Sequence, residues 1–183
     1  MLETPKFPVL AWAENSTDRH MMQLALEQAE RAGKRQEVPI GAVLVHEGRV
    51  LAQAGNAPIH STDPTGHAEI NAIRQACAQL NNYRLSGACL YVTLEPCIMC
   101  LGAILHARVG RVVTGAHDSR FNQSLKHTVS LVAHSPAWHA CQFETGCMAE
   151  ESKKLLTDFF AHKRTQQKAY RQSATPPNKQ EPV

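Results

Sequence analysis

With 183 residues, 43% of them apolar, and a formal net charge of +3, the chain has the size and composition of one globular domain with a single core. No run approaches the roughly 18 consecutive apolar residues of a membrane span. The apolar patch over residues 7–13 is broken by Pro8 and has only Lys6 before it, so a secretory signal is not expected and the cytoplasm is the default location. Asn15, Ser16 and Thr17 supply caps for a helix whose apolar positions, Met21, Met22, Ala25, Leu26 and Ala29, recur at helical spacing until Gly33. The β-branched run 38–45, the turn Glu47-Gly48 and the return over 50–52 predict a hairpin. Residues 55–65, rich in Gly, Pro, Asn, Ser, Thr and Asp, read as a loop. A second helix is expected from about Gly66 to Leu80, ended by Asn81-Asn82. Residues 88–94 read as a buried strand, Pro96 marks the start of a helix over 97–107, and 111–116 read as another strand. The stretch 117–146 is the least periodic: 129–132 fit strand or helix, and 141–143 fit a short strand. From about Met148 a helix carries Leu155, Leu156, Phe159 and Phe160, one of the two phenylalanines being expected in the core, and it reaches about Tyr170. Residues from about Ser173 have the composition of a disordered tail. Strands alternating with helices predict an α/β fold of three layers. The domain expected is a single one over 1–172, its first 15 or so residues flexible, followed by the tail 173–183.

Six cysteines without a secretory signal point to metal binding or thiol chemistry before disulfides, because cytosolic thiols stay reduced. His67-Ala68-Glu69 and Glu95-Pro96-Cys97-Ile98-Met99-Cys100 carry the chemistry. Cys97 and Cys100, three apart, share a helix face in a first turn, where the positive dipole end favours thiolates. His67 also stands at an expected helix start. One imidazole and two thiolates suit Zn²⁺ and leave a fourth position for water. Two thiolates offset the charge of the metal, so a nearby proton acceptor becomes useful, and Glu69 lies two residues from the histidine. A structural zinc site normally has four protein ligands. Here no second Cys-x-x-Cys exists, since Cys77, Cys89, Cys141 and Cys147 have the wrong spacings. A thiol oxidoreductase would use the Cys-x-x-Cys and leave His67 and Glu69 without a purpose. Catalytic zinc is therefore the reading. Charge is placed unevenly: residues 161–183 hold five bases and one acid, so the remainder of the chain carries −1. That placement suits contact with a polyanion, the alternative being a solvated, frayed terminus.

His-x-Glu followed by Pro-Cys-x-x-Cys resembles the signature of the zinc-dependent nucleobase deaminases. The wider sequence resembles one branch, the bacterial tRNA-specific adenosine deaminases, through residues 37–45, Gly55-Asn56, Asp63-Pro64-Thr65, residues 82–85 and 90–97, and Asp158-Phe159-Phe160 with the bases beyond. The resemblance covers roughly residues 18–171. It implies a cytidine-deaminase-like α/β/α sandwich with a mixed sheet of about five strands. It also implies one Zn²⁺ per subunit on His67, Cys97 and Cys100, and Glu69 as the proton shuttle. Asn56 would hydrogen-bond the target base, and Asp118 would lie near its ribose. Phe160, Lys163 and Arg164 would sit on a terminal helix touching RNA. The activity implied is adenosine-to-inosine conversion at the wobble position of a tRNA anticodon, by a homodimer. The chain departs from the family at residues 119–125, which are bulky and lack glycine where a small Gly- and Ala-rich stretch is usual. It also has Ala57 where arginine is frequent and Gly66 where alanine is common. A deaminase of free nucleobases or nucleosides (guanine, cytosine or adenine derivatives) is the alternative reading. A non-catalytic, zinc-containing RNA-binding subunit is the third.

Overall fold

The computed structural model describes residues 7–117, 125–132 and 139–173. Their order is β1 (Val9–Ala11), α1 (Ser16–Lys34), β2 (Gly41–His46), β3 (Arg49–Gly55), α2 (Ala68–Leu80), β4 (Cys89–Leu94), α3 (Ile98–His106), β5 (Arg111–Ala116), α4 (Leu125–Val132), β6 (Gln142–Thr145) and α5 (Ala149–Ser173). One six-stranded sheet runs β1-β6-β5-β4-β2-β3. β4, β5, β6 and β1 pair in parallel, and β2 is antiparallel to both β3 and β4, so the sheet is mixed. No helix among the described residues is long and apolar enough to cross a membrane.

Side-chain alternation explains the three layers. Ala42, Leu44, Leu90, Val92 and Val112 point into one core, which takes Ala72, Ile73 and Ala76 of α2 and Leu101, Ile104 and Leu105 of α3. The residues between them, Val43, Tyr91 and Val113, face Met22 and Ala25 of α1. α5 lies beside α1 and covers β5. Where α1 crosses β2 the sheet must be bare. A Cβ on Gly41 would stand 1.9 Å from the Ala25 carbonyl oxygen and 2.6 Å from the Ala29 nitrogen, both backbone atoms of α1. Gly41→Ala is therefore expected to lose about 3 kcal/mol of stability, read as a lower urea midpoint at unchanged slope, because a helix backbone cannot yield as a side chain does.

The structure differs from the sequence expectation in three places and decides an open reading in a fourth. The sheet has six strands where about five were expected, because β1 joins β6 at the edge and Phe7 is buried beside it. Three residues after a proline are too few to show a period of two. β2 starts at Gly41 and not at Val38, since Pro39 lacks the N–H that a ladder needs. The ambiguous 129–132 belongs to helix α4, which buries Leu125 and Val129 one turn apart. Neither Phe159 nor Phe160 is fully buried. They pack edge to face, ring centroids 5.4 Å apart, on the half-exposed flank of α5.

Candidate metal centre and active site

β4 ends at Leu94, and Glu95 and Pro96 carry the chain to Cys97, the N-cap of α3. His67 is the N-cap of α2. Both residues have extended backbones, and neither side chain caps its own helix. In place of a His67 cap, the Asn56 Oδ1 accepts the Ala68 N–H at 2.9 Å. This arrangement turns both N-cap side chains toward one another and brings two helix N-termini, each a partial positive charge, to one point.

The three donor atoms form a triangle. Cys97 Sγ lies 3.6 Å from Cys100 Sγ, and the His67 Nδ1 stands 3.7 Å from Cys97 Sγ and 3.4 Å from Cys100 Sγ. Zinc–sulfur bonds of about 2.3 Å and zinc–nitrogen bonds of about 2.05 Å at tetrahedral angles require about 3.8 Å between sulfurs and about 3.6 Å between sulfur and nitrogen. The residues present thus fit a tetrahedral ion with one position left for a non-protein ligand. The hydrogen bond between the two sulfurs lowers the Cys97 thiol to about 4 and, with burial, pushes Cys100 up. A divalent cation on these atoms would hold both as thiolates.

Glu69, in the first turn of α2, is 4% exposed, and its carboxyl reaches Cys100. Burial is the largest influence on it and raises it to about 7. A carboxyl poised there both accepts and returns a proton near neutral pH.

The loop that delivers His67 is tied at both ends. The Asn71 side-chain amide donates to the carbonyls of Gly55 and Gly66, each at 3.1 Å. Asp63 accepts from the Thr65 N–H and hydroxyl at 2.8 and 2.7 Å and from Arg74 at 2.9 Å. Those bonds, the Thr65 hydroxyl first, hold its carboxyl down at about 2. The departure at Gly66 has a physical correlate: a Cβ there would lie 3.0 Å from the Asp63 carbonyl oxygen and from the Ser61 hydroxyl.

The structure therefore brings together His67, Cys97, Cys100 and Glu69, with Asn56 one hydrogen bond behind them. Asp118 and residues 119–124 lie outside the described residues. Leu125, the last residue of that departing stretch, is buried at the start of α4. Phe160, Lys163 and Arg164 are not part of the triangle. Lys163 donates to the Gln36 side chain at 2.8 Å, in the turn after α1, and lies 5.5 Å from the Phe159 ring centroid. α5 passes Gly115 at Ser152 before reaching that turn, and its second half carries Lys163, Arg164, Lys168 and Arg171. No motif of the sequence includes His117. In the structure its Nδ1 meets the Glu95 carboxylate at 2.5 Å, beside the turn into Cys97. The signal was its place directly after a strand and before Asp118.

Residues 15–116 match the family described as the cytidine and deoxycytidylate deaminase zinc-binding region. The chain is 47% identical over 145 residues to the tRNA-specific adenosine deaminase of Agrobacterium fabrum, which spans 79% of this chain and 95% of that protein. A solved structure from studies of A-to-I editing by tRNA:A34 deaminases at the wobble position of transfer RNA is similar at a TM-score of 0.70 and 46% identity, covering 75% of this chain and 99% of that one. The guanine deaminase of Bacillus subtilis is similar at a TM-score of 0.55 and 37% identity, covering 60% of this chain and 69% of that one.

Proposed function

This chain belongs to the zinc-binding cytidine and deoxycytidylate deaminases and, within them, to the tRNA-specific adenosine deaminases; on that premise we propose how its residues divide the work. The enzyme is a zinc-dependent hydrolase that converts adenosine to inosine at the wobble position of a tRNA anticodon. The observation that carries this reading is the triangle of His67, Cys97 and Cys100 with the buried Glu69 against it.

His67, Cys97 and Cys100 hold the ion. When bound, zinc supplies a water acidic enough to lose a proton near neutral pH. Glu69 takes a proton from the attacking water and passes it to N1 of the adenine, then takes the second proton from the new C6 hydroxyl and gives it to the departing amine, leaving the C6 carbonyl. Carbon C6 gains oxygen and ammonia leaves, so atoms balance as water in and ammonia out. The Oδ1 of Asn56 is committed to Ala68, so its amide N–H groups are what it offers to an acceptor on the purine. Asp118 reads the target ribose. Phe160, Lys163 and Arg164 meet the RNA strand that leaves the pocket. A single-stranded anticodon loop lets the base be extruded at low cost. The working unit is a homodimer in the cytoplasm. A size measurement showing only monomer at micromolar concentration would remove the dimer from this account.

The test is inosine formation and ammonia release from a tRNA with an A-C-G anticodon, with guanine, cytosine and adenosine run in parallel. Inosine at the wobble base is the expected result. Deleting residues 161–183 is expected to lower kcat/KM for the tRNA at least tenfold, since several phosphate contacts go with the bases. Ammonia from guanine alone would move the assignment to the activity named for the Bacillus subtilis relative and leave the zinc chemistry intact.

A further inference from the structure

α1 ends at a left-handed residue, Gln36, with a φ of 66°. The Glu37 N–H donates to the Ala32 carbonyl at 3.1 Å and the Gln36 N–H to the Gly33 carbonyl at 2.9 Å. This pair of bonds is a Schellman closure, which fixes where the next side chain leaves the helix end. That side chain is Glu37, only 1% exposed. Its Oε1 accepts the His60 N–H at 2.8 Å, from the loop between Asn56 and His67. A buried carboxyl costs stability unless polar groups meet it, and here a backbone N–H of a distant loop does so.

The neck of that loop is closed without Glu37. The Ala57 N–H donates to the Gly66 carbonyl at 2.9 Å, and Asn56 accepts from Ala68. The Ser61 N–H and hydroxyl both donate to the Ala57 carbonyl, and Arg74 holds the far side through Asp63. What the Glu37 bond adds is a fixed position for the tip, where Ile59 precedes His60. Ile59 is 74% exposed, so it contributes nothing to the core. It stands on a loop whose two ends, Asn56 and His67, belong to the site. Extruding a base from an anticodon loop leaves the faces of its neighbours unstacked, and an aliphatic side chain can cover such a face. We propose that Ile59, held in place by Glu37, packs on a base flanking the target adenosine, which makes Glu37 a positioning residue for tRNA binding. The proposal rests on the tRNA reading above.

The experiment measures inosine formation by the full-length zinc enzyme on an anticodon stem-loop. Ile59→Ala should raise KM about three- to tenfold at nearly unchanged kcat, with zinc content, melting temperature and oligomer size as in the wild type. Glu37→Ala should raise KM by the same factor, and the double variant no further, because both remove one contact. Glu37→Gln keeps an oxygen that accepts the His60 N–H and should restore the wild-type KM. On stem-loops made abasic at one flanking nucleotide, the wild type should lose what Ile59→Ala loses, and Ile59→Ala nothing more. An unchanged KM in Ile59→Ala would overturn the contact, even if Glu37→Ala did not fold. Factors that multiply in the double variant, or a fall in zinc content in Glu37→Ala, would overturn the positioning role. A change of oligomer size in Ile59→Ala would give the side chain to a second copy of the chain and overturn the RNA contact. If the wild type made no inosine from the unmodified stem-loop, the tRNA reading itself would fail, and the proposal with it.

Discussion

Glu69→Ala is expected to lower inosine formation by about a thousandfold or more while the protein still binds one zinc ion per chain. The two halves of that result come from different parts of the geometry. The metal triangle is complete without Glu69, so removing its carboxyl takes away no ligand atom. The carboxyl is nonetheless a buried acid that reaches Cys100, and burial has brought it to about 7. Glu69→Gln sharpens the comparison, because it keeps the volume and one hydrogen-bonding oxygen but cannot carry the proton. Both variants should fold, since a carboxyl held in an apolar setting is there at a cost to stability. Metal analysis alongside single-turnover rates decides the matter. Loss of zinc in Glu69→Ala would make it a ligand, and a rate within tenfold of the wild type would place the shuttle elsewhere.

Cys97→Ala is expected to bring zinc content close to zero and to abolish turnover. Two protein ligands remain, and neither His67 nor Cys100 has another thiol or imidazole in the cluster to complete the set. Chelation of the wild-type enzyme should reproduce the loss, and added zinc should reverse it. The melting temperature should fall in both cases, because an ion that binds only the folded state stabilises it, by about 4 kcal/mol when free metal stands a thousandfold above its dissociation constant. Cys147→Ala serves as the control: it is buried against Met22 and Tyr91 on the α1 face, so it should cost stability and leave zinc content unchanged. Full zinc content in Cys97→Ala would exclude the triangle as the metal site.

The metal ligands were legible in the sequence because their geometry is local. A proline, then cysteines three apart at a helix start, can present their sulfurs in only a few ways, and the helix places them 3.6 Å apart. Glu69 was legible for the same reason, two residues beyond an N-cap histidine. The hairpin was legible too: Glu47 and Gly48 take φ of 49° and 73°, the consecutive left-handed pair that a tight hairpin turn needs. By contrast, β1 exists because Phe7 finds the core and Val9 finds Phe143, a partner more than a hundred residues away. No local pattern carries that information.

The sequence by itself determined the class of chemistry of this protein and the kind of metal, and it singled out Glu69 as the candidate for moving the proton, because ligand type and short spacing are properties of a few neighbouring residues. The tertiary structure decided how the parts serve one another. Asn56 caps the helix that starts after His67, across a loop, and Glu95 holds the ring of His117 across two strand ends. Each is a hydrogen bond between residues that the chain keeps apart and that meet only because the sheet places their backbones side by side.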